Sequence, residues 1–476
     1  MIIRTFLRLA LLSIMIASAI PSFAYEALNG PTGVLTYDQS STYDGYTLFA
    51  ATYSTKTYLM NNEGQIVHTW NSEYNAGLHA VLLDNGNLLR AGAVPPFPLV
   101  TGGLGGIVEE IDWDGNVVWQ YKLANNNEIS HHTFHRMPNG NTLLIAHERV
   151  SQKEAAKLGR KKLFDKVVVG KKEHKDFWID FIREVDSKGK TVWEWHMKDH
   201  LGQGPDKFDI NYALPPGAGL KNNTYDWSHL NTVNYLPEAD QILVNSRNFA
   251  EFFLINHKTG AIEYRWGNPT TYDPKAKKPG FSYVGDQKVF GSHCVTPMAN
   301  GHYLIFDNGT ERPTRQNSRV IELDPKQDKI VWEYKSKSPN SFMSNYQGAA
   351  QRLPNGNTLI TSSNNGHVFE VTKDKKVVWE FVNPIFRGKA KIRMMDGKDV
   401  VPAARGLALN AVHRAYKYPK GHPAFAGKDL SPKGYIAGND APVFFKLWKR
   451  GVAVQAPVSS GDIEEDDSLE LEIHAY

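Results

Sequence analysis

Hydrophobic and polar positions in this chain follow a phrase that returns six times. Each copy is a polar turn, a short run rich in β-branched residues, then two aromatic positions one residue apart. The copies end at Trp70, Tyr121, Trp195, Trp266, Tyr334 and Phe381, and two residues earlier stand His68, Trp119, Trp193, Tyr264, Trp332 and Trp379. A separation of two puts both rings of a pair on one face of a β-strand. The copies recur at roughly 45–75 residues, the spacing of a repeat architecture. Six strand-rich repeats predict an all-β fold: a six-bladed β-propeller with four-stranded antiparallel blades.

Asn-Gly pairs at Asn85-Gly86, Asn139-Gly140, Asn300-Gly301 and Asn355-Gly356 mark tight hairpins between strand-like runs. The second repeat then reads as four strands: His132–Met137, Thr142–His147, Asp180–Asp186 and Lys190–His196. Strands A to D run outward from the axis, and D carries the aromatic pair. The third, fourth and fifth repeats begin at His229, His293 and Gln347, and a less regular first repeat begins near Leu78. The N-terminal runs Thr47–Ala50, Thr57–Met60 and Ile66–Trp70 lack an inner strand. The segment Leu409–Tyr418 is expected to supply it, so that N- and C-terminal segments close the ring and remove exposed edges. Long inserts fall only between strands B and C or between D and the next A. Both kinds of loop emerge on one face of a propeller, which predicts a covered site there.

Composition narrows the setting. The chain has 476 residues and a net charge of +4, with one cysteine, Cys294, so an internal disulfide is excluded. Arg4 and Arg8 flank the start of an apolar run ending at Ile20, followed by Ser22-Phe23-Ala24. These residues read as a signal peptide, 1–24, and predict an exported, periplasmic protein with no membrane span after processing. The propeller is expected over 25–445, and a C-terminal strand with an acidic tail over 446–476. The basic stretch Lys153–Lys175 lacks interleaved aromatics and reads as a solvated insertion, so no nucleic-acid partner is expected.

Candidate chemistry gathers on the A strands. His132 and His293 lie six positions before their turns, and His229 and Asn231 lie eight and six before Pro237. Even offsets put all four on one strand face, toward the axis, and Arg247 ends strand B at the same loop-rich mouth. Taken singly, each has a plain structural reading: Asn231 bonding its own backbone, Arg247 pairing with Asp226 or Glu251. Five at equivalent positions of adjacent blades point to a site, because buried polar groups are costly unless paired or used. His131 and His135 read as structural or solvent-facing, since strand neighbours of His132 should point to the opposite face. That alternation also argues against a metal site in the run His131–His135. There is no carboxylate pair for glycoside hydrolysis and no Gly-rich phosphate loop. Arginine, amide and imidazole together suit a tetrahedral oxyanion such as sulfate, and a neutral imidazole can act as nucleophile.

At these residues the sequence resembles the bacterial arylsulfotransferases that work without PAPS. The motifs, in order, are His132-Thr133-Phe134-His135-Arg136-Met137-Pro138-Asn139-Gly140, Trp227-Ser228-His229-Leu230-Asn231-Thr232, Val244-Asn245-Ser246-Arg247, and Ser292-His293 followed by Ile305-Phe306-Asp307-Asn308-Gly309. The resemblance implies that His293 is the nucleophile, and that His132, His229, Asn231 and Arg247 grip the sulfate oxygens and assist proton transfer. It further implies a ping-pong reaction between small aryl sulfates and phenols, with no cofactor. The other readings are an arylsulfatase-like hydrolase and a non-catalytic propeller that binds an anion. The family's characterised members carry an N-terminal β-domain that helps build a homodimer. The segment after Ala24 is too short for it, which leaves the oligomeric state open.

Overall fold

The computed structural model describes residues 32–436 apart from 53, 100, 104, 162–166, 170, 171, 175, 213–225, 278–284, 311, 315, 339, 340, 386–391, 394–398 and 401–409, together with 447–449 and 452–454. The expected signal peptide and most of the expected tail lie outside the described residues. Within them, six antiparallel sheets form a six-bladed propeller. The first blade comprises Asn75–Leu82, Leu88–Ala93, Gly106–Ile111 and Val117–Lys122. The second comprises Glu128–Arg136, Thr142–Val150, Phe177–Val185 and Thr191–His196. The third spans Leu230–Trp266, the fourth His293–Tyr334 and the fifth Ala349–Val382, each with four strands in the order A-B-C-D.

The closing blade joins the two ends of the chain. Val412–Pro419 is its inner strand and pairs with Gly45–Ala51, Thr47 opposite Lys417 and Leu48 opposite Tyr416. The reading of the sequence left one strand unassigned: Gly33–Tyr37 adds a fifth, outermost strand to the fifth blade, with Gly33 opposite Val382 and Tyr37 opposite Trp379. It covers an edge that would otherwise be free to pair.

The repeated aromatics hold the blades to one another. Five indole N–H groups donate to the C–D turn of the next blade: Trp70 to Asp112 O, Trp195 to Gly260 O, Trp266 to Asp328 Oδ1, Trp332 to Lys373 O and Trp379 to Asn62 O, at 2.6–3.0 Å. The last of these crosses from the fifth blade to the closing blade and so completes the ring. Two of these rings, and that of Trp119, carry a cation from the inner strand of the following blade. Arg136 sits over Trp119, Arg352 over Trp332 and Lys417 over Trp379, each also paired with a glutamate of the preceding blade. Between these polar clasps the sheets pack face to face through buried aliphatic and aromatic side chains. The cluster of Ile145, Phe177, Trp195, Val244 and Phe253 between the second and third blades is one example. Burying one such side chain contributes about 1.5–3 kcal/mol.

The inner strands are not regular. In the second blade Ile145 pairs with His131 and Leu144 with Phe134, so His132 and Thr133 are extra residues in the ladder. Register also shifts between Leu230 and Thr232 and between His293 and Thr296. Residues with left-handed backbone sit in or beside these bulges: His132 (φ 52), His229 (φ 50) and Cys294 (φ 49). Such a conformation costs on the order of 1–3 kcal/mol in a non-glycine residue and persists only where its surroundings enforce it. The bulges re-aim side chains toward the axis and overturn the strict alternation expected from sequence.

Candidate active site

All five residues singled out from sequence are buried, and they lie around the loop-rich end of the channel. His132 and His229 come from neighbouring inner strands, their rings edge to face with centroids 4.7 Å apart. The His132 N–H donates to Gly103 O at 3.0 Å, and His229 O accepts from the Arg247 N–H at 3.0 Å, which holds both strained residues in place. Gly102 and Gly103 lie on the B–C loop of the first blade and cover the two imidazoles. A Cβ on Gly103 would fall 2.0 Å from the His132 ring, and Gly103 itself has φ +76. Only glycine fits between that ring and the loop.

His293 has a different setting. Its Nδ1 lies 2.8 Å from Asn308 Oδ1 and 3.0 Å from Gly291 O. The orientation of Asn308 is fixed, because its Nδ2 donates to Ser344 O and Gln347 O at 2.8 and 2.6 Å. Both partners of His293 Nδ1 are therefore acceptors, and that nitrogen must carry the proton. Nε2 keeps a lone pair, which accepts the Gln347 N–H at 3.2 Å. Burial first, and the Arg247 guanidinium second, hold the imidazole well below the usual histidine range. His293 is thus neutral, with its lone pair on a known atom.

The other two histidines stand in front of carboxylates. His229 Nδ1 donates to Asp226 Oδ2 at 2.5 Å, and Asp226 also accepts from the Thr101 hydroxyl. Burial would raise this carboxyl, but the charge and hydrogen bond of His229 and the charge of His147 together outweigh it and hold Asp226 down at about 2. His132 Nδ1 lies 2.7 Å from His131 Nδ1, and His131 Nε2 donates to Asp180 Oδ1 at 2.8 Å. The expectation that His131 turns away from His132 is therefore corrected: the bulge leaves the two adjacent imidazoles in contact. Asp180 is fully buried, yet neighbouring imidazoles keep it ionised, His147 foremost. Its Oδ2 accepts from the Ser228 hydroxyl and the Leu230 N–H.

His131, His147 and Asp180 offer three ligand-type atoms within 4.8 Å of one another. A metal ion lies in the plane of each imidazole that binds it. The His131 and His147 rings are stacked 3.7 Å apart with 13° between their planes, so one ion cannot lie in both. This arrangement suits proton sharing and does not suit metal ligation.

Asn231 ties the site together. Its Nδ2 donates to Ser292 O beside His293, and its Oδ1 accepts from Asn245 Nδ2. Arg247 bonds Asn248 Oδ1 at 3.0 Å. The carboxylates expected as its partners are engaged elsewhere, Asp226 by His229 and Glu251 by Arg265. The closing strand adds two groups absent from the sequence reading. Arg414 Nη2 donates to Asn231 O and to Thr232 Oγ1. His413 lies with its ring 6.3 Å from that of His132, and neither of its nitrogens has a partner among the described residues.

Asp180 and His147 could have been found from sequence. Each breaks an apolar run, Phe177-Trp178-Ile179 and Phe181-Ile182 around Asp180 and Leu143-Leu144-Ile145-Ala146 before His147, and a charge in such a run must be paired. Asp226 lies in a long insert and carries no such signal.

Similar solved structures include a protein of unknown function from Bacteroides caccae (13% identity, TM-score 0.43, covering 71% of this chain and 94% of its own), a streptogramin B lyase (10%, 0.37, 81% and 97%) and AztD from Citrobacter koseri (11%, 0.35, 71% and 95%). At TM-scores below 0.5 these likenesses carry no argument about this chain. No curated protein matches it. Among the described residues no helix is long and apolar enough to cross a membrane. A sequence profile for arylsulfotransferases (ASST) matches residues 33–384, most of the propeller, and the chain belongs to that family.

Proposed function

We propose that the protein moves a sulfuryl group from an aryl sulfate to a phenol by a ping-pong route, through a sulfohistidine at His293 and without PAPS. The observation that carries this reading is the pairing of His293 with Asn308, which leaves a neutral imidazole with its lone pair on Nε2. In the first half-reaction that lone pair attacks sulfur and an N–S bond forms. The S–O(aryl) bond breaks with its electron pair on the phenolate oxygen, which takes the proton that Nε2 of His229 or His132 gains when the anionic donor binds. In the second half-reaction the acceptor phenol attacks sulfur, the N–S pair returns to Nε2, and the phenolic proton passes to the histidine that gave one up. Nε2 must exchange its contact with the Gln347 N–H for sulfur as substrate arrives.

The negative charge spread over the sulfuryl oxygens is met by Arg247, with Arg414 as a second buried cation near His293. Reading the leader-like residues 1–24 as a signal peptide, we further place the reaction in the periplasm. Intact-mass measurement after mixing with 4-nitrophenyl sulfate should show one added sulfuryl group, lost in His293→Ala. Adding a phenol should speed release of 4-nitrophenol and yield a new sulfate ester. Release that phenols leave unchanged, with no new ester, would instead make water the acceptor and the protein a hydrolase. Absence of any adduct or turnover would leave a binding protein.

A further inference from the structure

Behind His132 and His229 lies a cluster that the sulfuryl-transfer scheme does not use. Its centre is Asp180, buried and holding four partners: His131 Nε2 and His147 Nδ1, each 2.8 Å from Oδ1, and Ser228 and Leu230 on Oδ2. The His147 N–H is not aligned for a hydrogen bond, so that contact is ionic. His147 also approaches the second carboxylate, with Nε2 3.9 Å from Asp226 Oδ1. One buried imidazole thus stands between a buried carboxylate and a partly buried one; the first serves His132 through His131 and the second serves His229 directly.

We propose that His131, His147 and Asp180 are positioning residues that dictate which nitrogen of His132 and of His229 handles protons. The deduction follows the donors. Asp180 can only accept, so His131 Nε2 carries a proton. Burial first and the charge of His147 second hold His131 at about 4, so its Nδ1 is a bare acceptor. The 2.7 Å contact to His132 then requires the proton on His132 Nδ1, and its lone pair falls on Nε2. On the other arm Asp226 claims the proton on His229 Nδ1, which likewise leaves Nε2 for substrate. His147 offsets part of the charge of the two carboxylates and stacks on His131, keeping both arms in register. The two proton-handling histidines are presented alike, from one shared support.

This inference rests on the sulfuryl-transfer reading, and its test separates the two. The variant is His131→Phe, which keeps the stack on His147 and removes both hydrogen bonds. In the full chain carrying 15N-labelled histidine, the His132 ring signals, assigned with His132→Gln, should show the proton on Nδ1 and lose that preference in His131→Phe. Transfer from phenyl sulfate, whose phenolate needs a proton to leave, should then fall at least tenfold more than transfer from 4-nitrophenyl sulfate, whose phenolate does not. His131→Gln serves if the phenylalanine variant does not fold, because its amide still reaches Asp180 but not His132. A His132 tautomer that neither variant alters would overturn the proposal, as would equal losses with both donors. If the unmodified protein transfers nothing from either donor, the functional reading falls, and the tautomer measurement still decides the positioning.

Discussion

The two halves of this site treat the same side chain in opposite ways. On one side an asparagine holds His293, and the strongest charge acting on it is the guanidinium group of Arg247. On the other, His229 stands directly before a carboxylate, and His132 stands before one at a distance of one imidazole. An amide fixes a tautomer without adding charge, so the imidazole stays neutral and nucleophilic. A carboxylate in direct contact, as Asp226 is with His229, fixes the same tautomer but also stabilises the imidazolium, so that ring can carry a proton. One residue type thus acquires two roles from what lies behind it.

Removing the nucleophile breaks the comparison outright. His293→Ala should abolish the covalent adduct and lower turnover by on the order of 10⁵-fold, with the circular dichroism spectrum unchanged. Appreciable turnover in that variant would move the nucleophile elsewhere. Next in size, Asp226→Asn should cost about 10³–10⁴-fold in kcat, since an amide cannot stabilise the charged form of His229. The loss should be largest for poor leaving groups. Arg247→Ala should cost about 2–4 kcal/mol of transition-state stabilisation. A near-normal kcat/KM there would place the anion away from this guanidinium. Asn308→Ala should cost less, about 10–100-fold, because the His293 ring retains the Gly291 carbonyl as a partner for Nδ1. If Asn308→Ala proved as damaging as Asp226→Asn, the distinction between amide and carboxylate supports would lose its meaning.

How much of this was visible beforehand depends on the kind of signal. The blades were legible because their aromatics repeat, and they repeat because five of the six junctions use an indole clasp, as Trp70, Trp195 and Trp379 show. The closing strand was legible because the first three strands lacked a partner. The fifth strand of the fifth blade was not, since Gly33–Tyr37 carries no copy of the phrase. His132, His229 and His293 could be brought together by counting back from their turns. Their supports could not, because counting assumes an unbroken two-residue period. The bulge after His131 breaks it, and a residue set aside as facing elsewhere becomes the neighbour of His132. Asp180 and Asp226 come from an outer strand and a long insert, so no spacing within one strand reaches them. Bulges and long-range pairs are the features a period cannot encode.

The smallest effect concerns stability, and it tests whether the shared support carries charge. Burial by itself would lower the proton affinity of His147, but the Asp180 and Asp226 carboxylates together outweigh burial and raise it above the ordinary value. A raised native value means that protonated His147 stabilises the fold fully below its unfolded value, near pH 6.5. That contribution is lost as pH rises through the native value. Asp226 sets the lower limit, because its native value is held at about 2. Its contribution is complete above its unfolded value, roughly pH 4, and is lost as pH falls toward the native one. The support is therefore fully charged between roughly pH 4 and 6.5. His147→Phe keeps the stacked ring and removes the charge. It should lower the thermal midpoint most within that window, by the equivalent of about 3 kcal/mol or less, as for a buried charge left without its partner. The gap between variant and parent should narrow as pH rises toward 9. A gap that stayed constant across that range would mean His147 is held by packing alone. The carboxylates would then stand uncompensated, and the contrast between the two halves of the site would rest on hydrogen bonding and not on charge.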